Sequence, residues 1–91
     1  MDDKNRRRAL LFRSWHRGMN EMDLLMGRFA ETHLSSFTPE QLDQYEAILD
    51  MNDPDVFAWV TGMEKVPPDQ DAEVLRLLVA HHAARKKATG E

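Results

Sequence analysis

Residues that start or stop helices divide this 91-residue chain into short segments. The positions of these helix breaks constrain its fold more than any other feature. Between the breaks, apolar side chains recur at steps of three and four, and no stretch alternates like a β-strand. The breaks are two glycines suited to end helices and four prolines suited to begin them or to form turns: Gly18, Gly62, Pro39, Pro54, Pro67 and Pro68. The pattern predicts an all-α fold, a compact single-domain five-helix bundle.

The predicted helices cover about residues 4–16, 19–34, 38–49, 53–62 and 69–87, within one domain spanning 1–91. We expect an ordered core at about 4–87 and a frayed tail at 88–91. Thr38 and Gln41 can form a capping box, Asp53 can cap the fourth helix, and Gly27 suits a close helix crossing. The predicted inward-facing residues are Leu10, Leu11, Phe12, Trp15, Met22, Leu25, Met26, Phe29, His33, Leu42, Tyr45, Ile48, Leu49, Val56, Phe57, Trp59, Val60, Val74, Leu75, Leu78 and either His81 or His82.

The net charge of −4 conceals an acidic middle between basic ends. Residues 18–75 contain thirteen acidic and two basic side chains, whereas residues 1–17 contain six basic and two acidic ones. An acidic body repels nucleic acid and anionic lipid and favours a basic protein surface. No apolar run approaches the ~20 residues that a membrane-spanning helix needs. The composition thus predicts a domain that binds neither a membrane nor nucleic acid.

Motifs for catalysis or for metal binding are absent from the sequence. The chain has no cysteine, no glycine-rich phosphate loop and no serine in a nucleophile-elbow context. Its histidines follow no metal-ligand spacing: His16, His33, His81 and His82. We therefore predict no catalytic residue, no metal site and no enzymatic activity.

The first helix supports an alternative interpretation. It carries several arginines along one side, and small helical domains can present such a surface to DNA. These arginines are Arg6, Arg7, Arg8, Arg13 and, just after the helix, Arg17. On this alternative, the chain is a small nucleic-acid-binding or regulatory protein that uses its basic first helix.

The stretch between the first two helices, Arg17-Gly18-Met19-Asn20-Glu21-Met22-Asp23, allows two interpretations. On the first interpretation, the stretch is a joint between two helices. Gly18 lets the chain turn, Glu21 and Asp23 favour the start of the second helix, and Arg17 can pair with Glu21. Alternatively, the same residues form a surface that binds a partner, because a glycine lets a partner backbone approach closely.

This stretch resembles the signature R-G-x-x-E, often continued as R-G-M-x-E-x-D, of the succinate dehydrogenase assembly factors that promote covalent flavin attachment. The block Asp53-Pro54-Asp55-Val56-Phe57-Ala58-Trp59-Val60 is also similar to these proteins, although some members carry a polar residue in place of Ala58. The resemblance covers roughly residues 8–80. It implies a five-helix bundle, in agreement with the number of helices that the periodicity predicts.

The resemblance also implies a function. Such a factor binds the flavoprotein subunit of succinate dehydrogenase, and of fumarate reductase in some organisms, and promotes the covalent attachment of FAD to it. The sequence itself argues against FAD binding by the factor, because it has no dinucleotide fingerprint and its acidic middle disfavours a pyrophosphate. Carried over to this sequence, the contact centre is Arg17, Gly18 and Glu21, flanked by Met19 and Asp23. The resemblance implies a cytoplasmic protein in bacteria or a mitochondrial matrix protein in eukaryotes. Because Asp2 and Asp3 do not suit a transit peptide, we expect the bacterial cytoplasm.

Overall fold

The computed structural model describes the backbone of residues 3–88 and the side chains of residues 4–85, and it contains five α-helices. No β-strand occurs within the described backbone. The helices are α1 (Asp3–Trp15), α2 (Asn20–His33), α3 (Pro39–Leu49), α4 (Asp53–Thr61) and α5 (Glu73–Ala88), with 3₁₀ turns at Leu34–Ser36 and Pro68–Gln70. The all-α prediction is confirmed.

Helices α1 and α2 pack closely because Gly27 lies under the indole ring of Trp15. A Cβ atom at Gly27 would stand 2.6 Å from Trp15 Cε3 and still closer to two other indole atoms. The indole Nε1 also donates to Glu31 Oε2 at 3.0 Å, which fixes the ring across α2. The close crossing predicted at Gly27 is therefore confirmed.

Helix α3 begins with the predicted capping box. The Gln41 amide donates to Thr38 Oγ1 at 3.2 Å, and the Thr38 amide donates to Gln41 Oε1 at 2.9 Å. Further along α3, Gln44 Oε1 accepts from the Val74 amide at the start of α5. Side chains of α3 thus stabilise the beginnings of two helices.

The core is apolar apart from one buried hydrogen-bonded pair. Ser14 donates to the Leu10 carbonyl, and its Oγ lies 2.6 Å from the hydroxyl of Tyr45. The Tyr45 hydroxyl also lies 3.3 Å from the Met26 carbonyl, so this pair joins α1, α3 and α2. The other buried side chains of the core are Leu10, Met22, Met26, Phe29, Ala30, Leu34, Phe37, Leu42, Ile48, Leu49, Val56, Val60, Val74, Leu75 and Leu78.

Burial raises the pKa of Tyr45 to about 12, against the opposing effect of its hydrogen bond to Ser14. In the unfolded chain this phenol ionises near pH 10, so the stability it contributes is complete below about pH 10. Between about pH 10 and about pH 12 the free energy of unfolding should fall by about 2 to 3 kcal/mol from this group. Urea unfolding across that range measures the loss, and Tyr45→Phe should not show it.

Tyr45 is the single tyrosine of the sequence, so absorbance titration of the folded protein reports this phenol alone. Titration near pH 10 in the folded state would contradict its placement in the core.

Three predictions about individual elements are wrong. Phe12 is 64% exposed, because it lies two residues from buried Leu10 and so about 200° around the helix from the core. The fifth helix begins at Glu73 instead of 69, since Pro68–Gln70 forms a 3₁₀ turn and Asp71 is extended. Asp53 is the first residue of α4 and not its cap. Of the predicted frayed tail, residue 88 ends α5 and residues 89–91 lie outside the described part.

Along the described helices, none combines the length and the apolar character needed to cross a membrane.

Candidate functional site

The joint between α1 and α2, residues 16–19, ends one helix and starts the next at an exposed glycine. Gly18 has φ +98°, a left-handed conformation that residues with a Cβ rarely adopt. A Cβ at Gly18 would have nothing within 4 Å, so the space outside the joint is open. The positive φ predicted for Gly18 is confirmed, although α1 itself ends at Trp15, three residues before the glycine.

Arg17 turns its side chain away from solvent and onto the start of α4. Its Nη2 and Nε lie 2.7 Å and 3.0 Å from Asp53 Oδ1, and Nη2 is 3.5 Å from the Met51 carbonyl. The Arg17 and Asp53 side chains are each only 13% exposed. Arg17 therefore pairs with Asp53, and the suggested pairing with Glu21 does not occur. Its guanidinium group holds the joint against α4.

Asp23 holds the joint from the other side. Its Oδ1 accepts a hydrogen bond from the Arg17 backbone amide at 2.5 Å, across a separation of six residues. The Asp23 amide in turn donates to the Met19 carbonyl, closing the first turn of α2. Asp23 is half-buried, whereas the Met19 side chain is exposed. Asp23 therefore stabilises the shape of the joint, and Met19 is available at the surface.

Glu21 lies on the surface of α2, on a different side of the joint from the Arg17 guanidinium. It is one of the residues lining a cleft of about 420 Å³ between α2, α4 and α5, which we call the α2–α4–α5 cleft. Arg17 and Met19 border a separate hollow at the start of α4. The cleft is lined by Glu21, Leu24, Leu25, Arg28, Phe57, Thr61, Leu78, His81, His82 and Arg85.

The five residues predicted from the sequence therefore divide into two groups. Arg17 and Asp23 make internal contacts that set the backbone of the joint. Gly18, Met19 and Glu21 are exposed and border open space. Such an arrangement can present one rigid turn and one carboxylate to another protein.

Comparison with known protein sequences gives a match that covers this part of the chain. A sequence profile described as "Flavinator of succinate dehydrogenase" matches residues 8–82, which include the joint, Asp53 and most of the cleft. The chain belongs to this flavinator family.

Curated relatives of the flavinator family agree with this match. The chain is 40% identical over 80 residues to "Succinate dehydrogenase assembly factor 2-A, mitochondrial" of Drosophila yakuba, covering 86% of this chain and 49% of the relative. It is 43% identical over 76 residues to "Succinate dehydrogenase assembly factor 2, mitochondrial" of Dictyostelium discoideum, covering 84% and 53%. The chain spans about half the length of the curated relatives it matches.

These relatives contradict the expectation of a bacterial cytoplasmic protein. They are eukaryotic proteins whose names assign them to mitochondria. The expectation depended on Asp2 and Asp3 at the start of a chain that spans about half of its relatives. Two residues there are too little evidence to assign a compartment.

The alternative of nucleic-acid binding by the first helix is not supported. The family that matches this chain is described by flavin attachment and not by nucleic-acid binding. In addition, four of the five arginines at positions 6–17 bind other groups of this chain. Arg6 contacts Asp43 and Glu46, Arg7 donates to the Leu34 and Phe37 carbonyls, Arg13 pairs with Asp50, and Arg17 pairs with Asp53. The hydrogen bonds to Asp43 and Glu46 also raise the pKa of Arg6 above its ordinary value. These guanidinium groups bind the bundle together.

Histidines contribute no metal site in the described part of the chain. Among those residues, no group of three or more His, Cys, Asp or Glu side chains is arranged to hold an ion. His81 packs edge-on against the rings of Phe29 and His33. Burial, followed by repulsion from His33, lowers the pKa of His81, which favours the neutral ring at physiological pH.

Two parts of the site were not found from the sequence. Asp53 was interpreted as a helix cap, and its Asp-Pro-Asp context gave no sign that a residue 36 positions away binds its carboxylate. On α5, Leu78 and one of His81 and His82 were predicted to face inward, but their place in a cleft with Arg85 was missed, because periodicity does not show how three helices enclose a cleft. A surplus of basic residues at the end of α5 was the one available signal.

Proposed function

We propose that this chain is an assembly factor that binds the flavoprotein subunit of succinate dehydrogenase and promotes covalent attachment of FAD to that subunit. Membership in the flavinator family supports the proposal, as do the relatives named for succinate dehydrogenase assembly. The observation that carries it is the joint itself. The backbone beside an exposed glycine with open space around it is held by two contacts of Arg17, one with Asp23 in the same motif and one with Asp53 on α4.

The proposed mechanism is binding and not catalysis by this chain. A partner that binds one conformation of the flavoprotein more tightly increases the population of that conformation. Gly18 lets the flavoprotein backbone approach, Met19 offers an adaptable apolar contact, and Glu21 accepts hydrogen bonds from amides or a basic group. Arg17 and Asp23 contribute by holding these residues in place. On this proposal the chemistry of bond formation belongs to the flavoprotein and its flavin.

FAD is accordingly proposed to be the covalently attached cofactor of the partner and not a cofactor of this chain. The sequence has no glycine-rich dinucleotide fingerprint, and its acidic middle disfavours a pyrophosphate. The resemblance extends to fumarate reductase in some organisms, so the fumarate reductase flavoprotein is a second proposed client. The assay below, applied to that subunit, tests the extension.

Deleting the gene tests the proposal directly. The succinate dehydrogenase flavoprotein is separated on a denaturing gel, and covalent flavin is measured by its fluorescence. We expect a large loss of fluorescence at unchanged amounts of flavoprotein, restored by re-expressing the chain. Undiminished fluorescence, in cells that contain no second factor of this family, would overturn the proposal.

Gly18→Arg should fail to restore flavin fluorescence in the deletion strain. A Cβ at this position has no atom of this chain within 4 Å, so the new side chain can extend into the space that the partner would occupy. The left-handed φ of Gly18 adds backbone strain of about 1 to 2 kcal/mol. Gly62→Arg is the matched control, because Gly62 has φ +81° and equally open surroundings at the end of α4. It should suffer the same strain and restore fluorescence. Equal failure of both variants would assign the effect to stability.

A further inference from the structure

The α2–α4–α5 cleft has an apolar floor that reaches the surface. Leu25, Phe57 and Leu78 line it, and Leu24 at its edge is 45% exposed. Its volume of about 420 Å³ lies within the range of protein sites that bind ligands. The cleft is partly open to solvent, so a ligand can enter it.

The charged residues of the cleft distinguish it from the rest of the molecule. Arg28 and Arg85 line it, and neither forms an ion pair or side-chain hydrogen bond with the described residues. Arg6, Arg13 and Arg17, by contrast, each pair with a carboxylate of this chain. The two guanidinium groups outnumber the one carboxylate of the lining, Glu21, so the cleft is locally basic in a chain whose middle is strongly acidic. Beside the apolar floor they form a local site for a carboxylate.

One polar atom in the wall of the cleft also has no partner. His81 Nε2 is buried and makes no hydrogen bond with the described residues. Buried polar atoms in folded proteins nearly always have a partner. Since this atom is not accessible to solvent, an occupant of the cleft could bond to it only if the His81 ring moved.

We propose that the α2–α4–α5 cleft binds a peptide segment that carries a carboxylate beside a large apolar side chain. The apolar side chain lies on Leu25, Phe57 and Leu78, and the carboxylate binds Arg28 and Arg85 through charge-assisted hydrogen bonds. Glu21 lines the same cleft, so the segment would belong to the protein that docks on the joint. The assignment of the segment to the flavoprotein rests on the proposed function, whereas the chemistry of the cleft does not.

Peptide binding to the wild-type chain tests the chemistry. The ¹⁵N-labelled chain is titrated with acetyl-Leu-Glu-Glu-Leu-Phe-amide and with its glutamine counterpart, acetyl-Leu-Gln-Gln-Leu-Phe-amide. We expect amide shifts at Leu24, Arg28 and Arg85, and affinity for the glutamine peptide lower by about ten-fold, since charged hydrogen bonds are roughly twice as strong as neutral ones. Equal affinities for the two peptides, or shifts confined to other surfaces, would overturn the proposal. So would sodium octanoate producing the same shifts as strongly, because the ligand would then be a small amphiphile.

Reversing the charge of the two cleft arginines is the second part of the peptide-binding experiment. Arg28→Glu with Arg85→Glu should weaken the acidic peptide by at least about ten-fold while leaving the glutamine peptide unaffected. Arg8→Glu with Lys65→Glu is the matched control, since both residues are exposed, lie outside the cleft and give the same net charge. Circular dichroism checks that both variants fold. Equal losses in the two variants would assign the effect to overall charge and contradict the site.

Purified flavoprotein subunit identifies the source of the segment. Its affinity for the Arg28→Glu, Arg85→Glu variant should fall by about ten-fold or more, as for the peptide. An unchanged affinity would exclude the flavoprotein as the source. The two proposals fail in different ways. If the gene is required for flavin attachment but the peptides do not distinguish charge, the cleft assignment is wrong. If the acidic peptide binds but gene deletion leaves flavin attachment intact, the proposed function is wrong.

Discussion

Arg17→Ala is expected to lower the free energy of unfolding by about 3 kcal/mol, because it leaves the carboxylate of Asp53 nearly buried without its cation. Urea unfolding measures this loss. Arg13→Ala is the matched control, since Arg13 pairs with Asp50 at the same 2.7 Å, but the two side chains are 38% and 66% exposed. Its cost should stay below about 1 kcal/mol.

A double variant separates holding the joint from touching a partner. Arg17→Met with Asp53→Leu removes both charges and should recover most of the stability lost in Arg17→Ala. If Arg17 acts by positioning the joint, the double variant should also restore flavin attachment in the deletion strain. Recovered stability without recovered flavin attachment would instead mean that the guanidinium contacts the flavoprotein. Similar small losses for Arg17→Ala and Arg13→Ala would contradict the buried pair.

Gly27→Ala is expected to destabilise the protein by about 2 kcal/mol, although alanine is the better helix former by about 1 kcal/mol. The added Cβ would overlap the indole ring of Trp15, so the ring must move and lose its hydrogen bond to Glu31. Thermal or urea unfolding checks the sign of the change.

The Trp15→Ala background provides the control for Gly27. Without the indole, alanine at position 27 should no longer be harmful and should raise stability by up to about 1 kcal/mol relative to glycine. A loss of the same size in both backgrounds would mean that Gly27 is required for a reason other than its contact with Trp15.

Features encoded by neighbouring residues were predictable. The capping box depends on Thr38 and Gln41, three residues apart, and both of its hydrogen bonds are present. The buried stripe of α3 follows from helical periodicity, and Tyr45 lies at its centre. The crossing at Gly27 was predictable as well, because a glycine inside a helix costs about 1 kcal/mol relative to alanine, and a close approach of another helix accounts for that cost.

Features that depend on how helices are rotated against one another were not predictable. Periodicity predicts that α1 has a buried face, but it does not determine which residues form that face. In the structure Phe12 lies outside it and Ser14 lies within it. Nor could spacing show that Arg17 would reach Asp53 instead of Glu21. The site residues were found by resemblance, and their division into internal and exposed groups required the three-dimensional structure.

The rigidity of the joint has a consequence for association. Immobilising a flexible side chain at an interface costs about 0.5 to 1.5 kcal/mol, and ordering a loop costs more. Here the contacts among Arg17, Asp23 and Asp53 order the joint when the bundle folds, so binding does not have to order it again. The affinity for a partner therefore depends on the fraction of molecules in which these contacts are closed. A core substitution at Ser14 or Tyr45 that is severe enough to open them would weaken binding through a surface that it never touches.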